Sequence, residues 1–99
     1  MPNVIVQGVF VVQSTERDQF IEASVEGMRS SRAEPGCLEY VFAADPLDPG
    51  RVVLSERWES MDLLQQHLKS HASSPPGDRP KPVSAEIVMY EVASATQLL

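Results

Sequence analysis

Ser31-Arg32-Ala33-Glu34-Pro35-Gly36-Cys37-Leu38-Glu39-Tyr40 is the junction on which the fold turns. Proline disfavours the α region at the residue before it, and glycine admits a left-handed turn. Glu34-Pro35-Gly36 therefore ends a helix. Upstream, Phe20, Ile21, Ser24, Val25 and Met28 recur at helical spacing, which predicts an amphipathic helix from Thr15 to about Arg32. Ser14 or Thr15 can cap it, and Thr15 with Asp18 has capping-box spacing, with Asp in place of Glu or Gln. Downstream, Cys37 to Ala44 reads as a strand with Leu38, Tyr40 and Phe42 on one face.

Beyond this junction the pattern extends both ways. Val4 to Gln13 is rich in β-branched residues and reads as a strand. Asp45-Pro46-Leu47-Asp48-Pro49-Gly50 is dense in turn formers and predicts a hairpin loop. Arg51 to Trp58 is the return strand, with Val52, Leu54, Glu56 and Trp58 on one face. Ser60 can cap a helix whose apolar stripe holds Met61, Leu64 and Leu68. Pro75, Pro76, Pro80 and Pro82 make 72–84 a loop, and Glu86 to Val92 is the last strand.

The order strand, helix, strand, strand, helix, strand predicts an α+β, ferredoxin-like fold: a four-stranded antiparallel sheet with two helices on one face. The other face is then bare. In the first strand Val4, Val6, Phe10 and Val12 point one way and Ile5, Val9 and Val11 the other. Apolar residues on an uncovered face mark an interface, so a homodimer through the sheet faces is expected.

Ninety-nine residues make one domain over 1–99, packed over about 4–92 with a tail at 93–99. A net charge of −6, with no run of Lys or Arg, argues against nucleic acid. The single cysteine, Cys37, excludes an internal disulfide and suits a reducing compartment. Met1-Pro2-Asn3 leads into the first strand without a basic segment or cleavage site, and no apolar run reaches bilayer length. A soluble cytoplasmic protein with no membrane partner is expected.

Two blocks carry a family likeness. Glu34-Pro35-Gly36-Cys37-Leu38-x-Tyr40 resembles the helix-to-strand signature of the antibiotic biosynthesis monooxygenase domain, a family of small dimeric α+β barrels. Glu56-x-Trp58-Glu59, followed by His67-x-x-Ser70, resembles its second block, and the likeness runs from Val4 to about Val92. The resemblance implies a cleft between sheet and helices. There some members oxidise phenols or quinols with molecular oxygen, without flavin, haem or metal. A related branch binds and degrades haem, using a tryptophan at the position of Trp58, an asparagine on the first strand and a later histidine. The first strand here has Gln7 and no asparagine, which argues against haem. The chain also departs from the family after Ser70, where His71-Ala72-Ser73-Ser74 leads into prolines.

The residues themselves supply candidate chemistry. With Leu64 at the centre of the helix stripe, His71 falls about 20° away and His67 about 60°, at roughly 100° per residue. Both can lean towards the sheet, where a neutral imidazole can accept a proton from a phenol or quinol. The family match favours His67. Trp58 is either a platform for a planar ring or part of the core. Glu56, if covered, needs a partner, for which Arg32 is a candidate. Tyr40 can line the cleft. The expectation is a cofactor-independent monooxygenase acting on a small aromatic phenol or quinol with O₂. His67 and Trp58 are its candidate catalytic residues, and Glu56, His71, Tyr40 and Arg32 its candidate substrate-binding residues. No cofactor is expected, since the chain lacks a glycine-rich fingerprint. No metal is expected either, because the His-x-x-x-His pair has no third ligand at a recognisable spacing. The alternative is a non-catalytic ligand-binding or protective dimer of the same fold.

Overall fold

A computed structural model of the chain describes residues 3–71 and 77–99. Its elements are β1 (Val4–Val11), α1 (Arg17–Ala23), α2 (Val25–Arg32), β2 (Cys37–Ala44), β3 (Arg51–Trp58), α3 (Met61–His71) and β4 (Ser84–Glu91), with a 3₁₀ turn over Ser14–Glu16 before α1. The four strands form one sheet in the order β2-β3-β1-β4, and every neighbouring pair is antiparallel. The architecture is the ferredoxin-like one expected. Among the described residues no helix is long and apolar enough to cross a membrane.

Alternation sets the inner face. Val4, Val6, Phe10 and Val12 are buried along β1 and just past it, and Val52, Leu54, Glu56 and Trp58 along β3. Phe20 of α1 packs on Phe10 and Phe42 with ring centroids 5.4 and 6.2 Å away. Leu64 of α3 joins Val4, Val6 and Trp58 in a second cluster. The helices therefore cover the same face of the sheet, one cluster under α1 and the other under α3.

The single helix expected over Thr15 to about Arg32 is divided at Ser24. The Ser24 hydroxyl donates to the Phe20 carbonyl at 2.8 Å, while its N–H bonds Ile21 O, three residues back, at 3.0 Å. This local competition tightens the turn, and Met28 N–H to Ser24 O resumes the helical spacing. Neither Ser14 nor Thr15 caps through its side chain. The start of α1 is instead tied to the β2–β3 turn by Arg17, which donates to the carbonyls of Asp45 and Asp48 at 2.8 and 2.7 Å.

Two other expectations shift. Cys37 pairs with Trp58 and Glu39 with Arg57, so Leu38 is an extra, bulged residue. The bulge resets the alternation: Cys37, Tyr40 and Phe42 face inward, and Leu38 is 44% exposed. Leu68 lies on the predicted stripe of α3 but is 57% exposed, because it lies at a cavity rim. Of the loop expected over 72–84, residues 72–76 fall outside the described residues, and 77–83 form no helix or strand.

Candidate functional site

The site is assembled where two turns meet. After α2 the Glu34 N–H bonds Ser31 O, and Pro35 blocks continuation of the helix. Gly36 turns the chain at φ +81, where a Cβ would run into the Leu63 side chain. The Gly36 carbonyl then accepts the Glu59 N–H at 2.9 Å. That bond joins the α2–β2 turn to the β3–α3 turn, and Ser60 Oγ, accepting the Leu63 N–H at 3.2 Å, starts α3. Glu34 is thereby brought beside the outer turns of α3.

There it binds both histidines. His67 Nδ1 lies 2.7 Å from Glu34 Oε2, and His71 Nε2 lies 2.8 Å from Glu34 Oε1. Partial burial raises the Glu34 carboxyl, but the hydrogen bonds and charges of His71 and His67 outweigh it and hold the carboxyl below the usual value. Glu34 is therefore an ionised acceptor near neutral pH, and both imidazoles donate to it. For His67 this fixes the proton on Nδ1 and leaves Nε2 as the basic nitrogen.

The His67 ring is buried, with its centroid 4.7 Å from that of Trp58 and 5.4 Å from that of Tyr40. It lines a cavity of about 470 Å³ between α3 and the sheet. This volume lies within the range of small-molecule sites. The walls include Val6, Phe10, Tyr40, Phe42, Leu54 and Leu64, with Ile87 and Met89 on the β4 side. The polar groups among them are Glu56, Tyr40, Gln65, His67 and Arg79. Burial, with the Glu56 charge, pushes the Tyr40 hydroxyl up to about 12. Tyr40 is thus a neutral donor, not a base. Burial and the charges of Glu34 and Glu56 push the Cys37 thiol up, which suits a packing residue and not a nucleophile.

The sequence-derived candidates divide into two groups. His67, Glu56 and Tyr40 line the cavity. Trp58 does not: it is fully enclosed, and the ring packed on it is His67, so a substrate has no access to its face. His71 acts on Glu34 from outside the cavity. Arg32 stands apart, donating to the Tyr40 carbonyl at 2.8 Å. The partner of Glu56 is instead Trp58, whose Nε1 donates to Oε1 at 2.9 Å from two residues along the same strand face. Glu34 and Arg79 were not among the candidates. Glu34 was legible only as a helix stop, and Arg79 lies in a proline-rich loop without periodicity.

Glu34 also supplies the third ligand-type group that the two histidines lacked in sequence. The three ligand atoms lie within 4.8 Å of one another, and a tetrahedral zinc ion sets its ligand atoms about 3.3 Å apart. A divalent ion could be held there if both imidazole–carboxylate hydrogen bonds opened. As they stand, each carboxylate oxygen is bonded to an imidazole.

Glu56 gives the site a measurable pH signature. Burial raises its carboxyl above the ordinary 4.5, against the lowering effects of the Trp58 hydrogen bond and the His67 charge. A carboxyl raised on folding binds its proton more tightly in the folded state, so it costs stability as pH rises above its unfolded value. Glu56→Gln keeps an oxygen for Trp58 Nε1. It should raise the melting temperature at pH 7 by a few degrees, and the difference should close below about pH 4. Thermal unfolding at the two pH values checks this, and an unchanged or lower melting temperature at pH 7 contradicts it.

The family model described as "Antibiotic biosynthesis monooxygenase" matches residues 3–74. A candidate antibiotic biosynthesis monooxygenase of Deinococcus radiodurans has a similar structure, with a TM-score of 0.84 at 23% identity, covering 97% of this chain and 98% of that one. A second candidate, from Chloroflexus aurantiacus, is 26% identical with a TM-score of 0.73, over 96% and 97% of the two chains. An uncharacterized protein of Synechocystis is 28% identical over 96% of this chain and 67% of its own length.

Proposed function

The chain belongs to the antibiotic biosynthesis monooxygenase family, and from that premise we propose that it oxidises a small phenol or quinol with O₂ and no bound cofactor. The observation that carries this reading is His67: a buried imidazole, oriented by the Glu34 carboxylate, in the wall of a cavity of about 470 Å³. Removing the substrate hydroxyl proton gives a phenolate, a far better electron donor to O₂. The stoichiometry closes without an outside reductant. A hydroxyarene with a free ring position gains one oxygen atom and loses two hydrogens to give a quinone, and the second oxygen atom leaves as water. Nε2 of His67 accepts the hydroxyl proton, the Glu34 carboxylate stabilises the imidazolium, and the largely apolar walls hold the ring.

An oxygen electrode with a panel of phenols and quinols tests this. The expected result is uptake with no added flavin or nicotinamide, unchanged by a chelator. Uptake abolished by chelation would instead assign Glu34, His67 and His71 to a metal centre. Ligand binding without uptake would favour the non-catalytic alternative.

The working unit is proposed to be a two-fold dimer through the open sheet face. Val9 and Val53 face that side, where Val11 is 39%, Val88 36% and Tyr90 49% exposed. The chain exposes 6808 Å², against about 5,600 Å² for a compact monomer of its mass. Sedimentation equilibrium at micromolar concentration should give twice 10.9 kDa, and a monomer would contradict the proposal.

A further inference from the structure

Arg79 is the permanent cation among the described residues that line the cavity. Its guanidinium lies over the Phe20 ring at 4.8 Å and the Phe10 ring at 5.8 Å. Each of the other five arginines has a polar partner. Arg17 holds two carbonyls of the β2–β3 turn and Arg32 the carbonyl of Tyr40. Arg29, Arg51 and Arg57 pair with Glu26, Asp45 and Glu39. Arg79 forms neither an ion pair nor a hydrogen bond with any described residue, and residues 72–76, Ala-Ser-Ser-Pro-Pro, contain no acidic side chain.

A half-buried guanidinium with no polar partner among the described residues, on the wall of an apolar cavity, is costly to keep unless something else meets its charge. Stacking on phenyl rings satisfies its face. The in-plane N–H groups meet no acceptor among the described residues, and their fork matches a carboxylate in two parallel hydrogen bonds. The surroundings divide the labour. Arg79 packs on Phe10 and Phe20 of one core cluster, and His67 on Trp58 of the other. Both line the same cavity, so a ligand touching both would set an acidic group against Arg79 and a hydroxyl against His67.

We infer that Arg79 selects substrates carrying a carboxylate on the hydroxylated ring, so that this site takes hydroxyaryl carboxylic acids in preference to neutral phenols. The inference rests on the cavity being the substrate site proposed above, but binding can test it separately from turnover.

The probes are 2,5-dihydroxybenzoate and its methyl ester, which keep the quinol and differ in the anion. Isothermal titration calorimetry should show the acid binding wild type at least about 10-fold more tightly than the ester. Arg79→Ala should weaken the acid by about 10- to 100-fold, the usual worth of hydrogen bonds to a charged group, and leave the ester within about twofold. Arg79→Lys keeps the charge without the fork and should fall between, with circular dichroism confirming that both variants fold. If Arg79 merely covers the phenyl rings, its loss affects acid and ester alike, which overturns the inference. Equal affinity of wild type for acid and ester, or no binding of either, overturns it too. If the acid binds through Arg79 but no oxygen is consumed, the anion site stands and the oxygenase reading falls. If neutral hydroquinone is oxidised as efficiently as the acid in both wild type and Arg79→Ala, the oxygenase reading stands and Arg79 has no part in selection.

Discussion

Replacing His67 with Ala is expected to lower oxygen uptake with a phenol or quinol substrate by about 10²–10⁴-fold, the range for a positioned proton acceptor. The loss should appear in kcat, because the imidazole acts on the proton leaving in the reaction, while the apolar walls that bind the ring remain. His67 is buried, so truncation also opens space beside Trp58, and His67→Gln is the needed companion: it fills most of that volume without supplying a base. Glu34→Gln should lower turnover less, since an amide can still orient the ring but cannot stabilise an imidazolium. His71→Ala should have the smallest effect, because it removes one hydrogen bond to Glu34 and nothing from the cavity. Full turnover in both His67 variants would remove histidine base catalysis from the proposal.

Replacing Trp58 with Ala is expected to cost about 3–5 kcal/mol of stability, as for other large aromatics removed from a core. Its side chain is completely enclosed and packs with Val4, Val6 and Leu64. The substitution also strips the buried Glu56 carboxylate of its Nε1 hydrogen bond, and a buried charge without its donor adds to the cost. Set against total stabilities of about 5–15 kcal/mol, the loss would leave little of the folded state. Trp58→Phe keeps a ring but not the donor and should cost roughly 1–3 kcal/mol. Urea unfolding followed by far-ultraviolet circular dichroism measures both. A loss below about 1 kcal/mol for the alanine variant would mean that the second core cluster does not depend on this ring.

Local chemistry was legible in the sequence, and contacts between distant segments were not. The bounds of β2 and β3 follow from Pro35-Gly36 at one end and the run Asp45 to Gly50 between them, because turn residues act where they stand. The break at Ser24 was hidden, because a hydroxyl bonding back to Phe20 O leaves the apolar periodicity intact. Leu38 alternates properly with Tyr40 in sequence, and only the pairing of both Cys37 and Glu39 with β3 reveals the bulge. At the site, His67 was recognisable from family likeness and helical position. Its orienting carboxylate lies 33 residues away, in a motif that already had a sufficient explanation as a helix stop. Glu56 was visible as a carboxylate needing a partner. That partner was on its own strand, two residues on, and not Arg32.

The cavity has one wall with weak local support. All eight residues of β4 are exposed, and the strand lies at the edge of the sheet, with β1 as its only hydrogen-bonded neighbour among the described strands. Yet Ile87 and Met89 line that side of the cavity. Backbone amides at such an edge exchange with solvent through local opening at small free-energy cost, well before the sheet as a whole unfolds. In an isolated chain β4 amides would therefore exchange faster than those of the central strands, and each opening would also uncover the substrate. A second copy seated on Val88 and Tyr90 would slow that exchange in a concentration-dependent way. Retention of a reactive intermediate would then be a property of the assembled pair: dilution would raise leakage of partly oxidised product before it lowered the folded fraction.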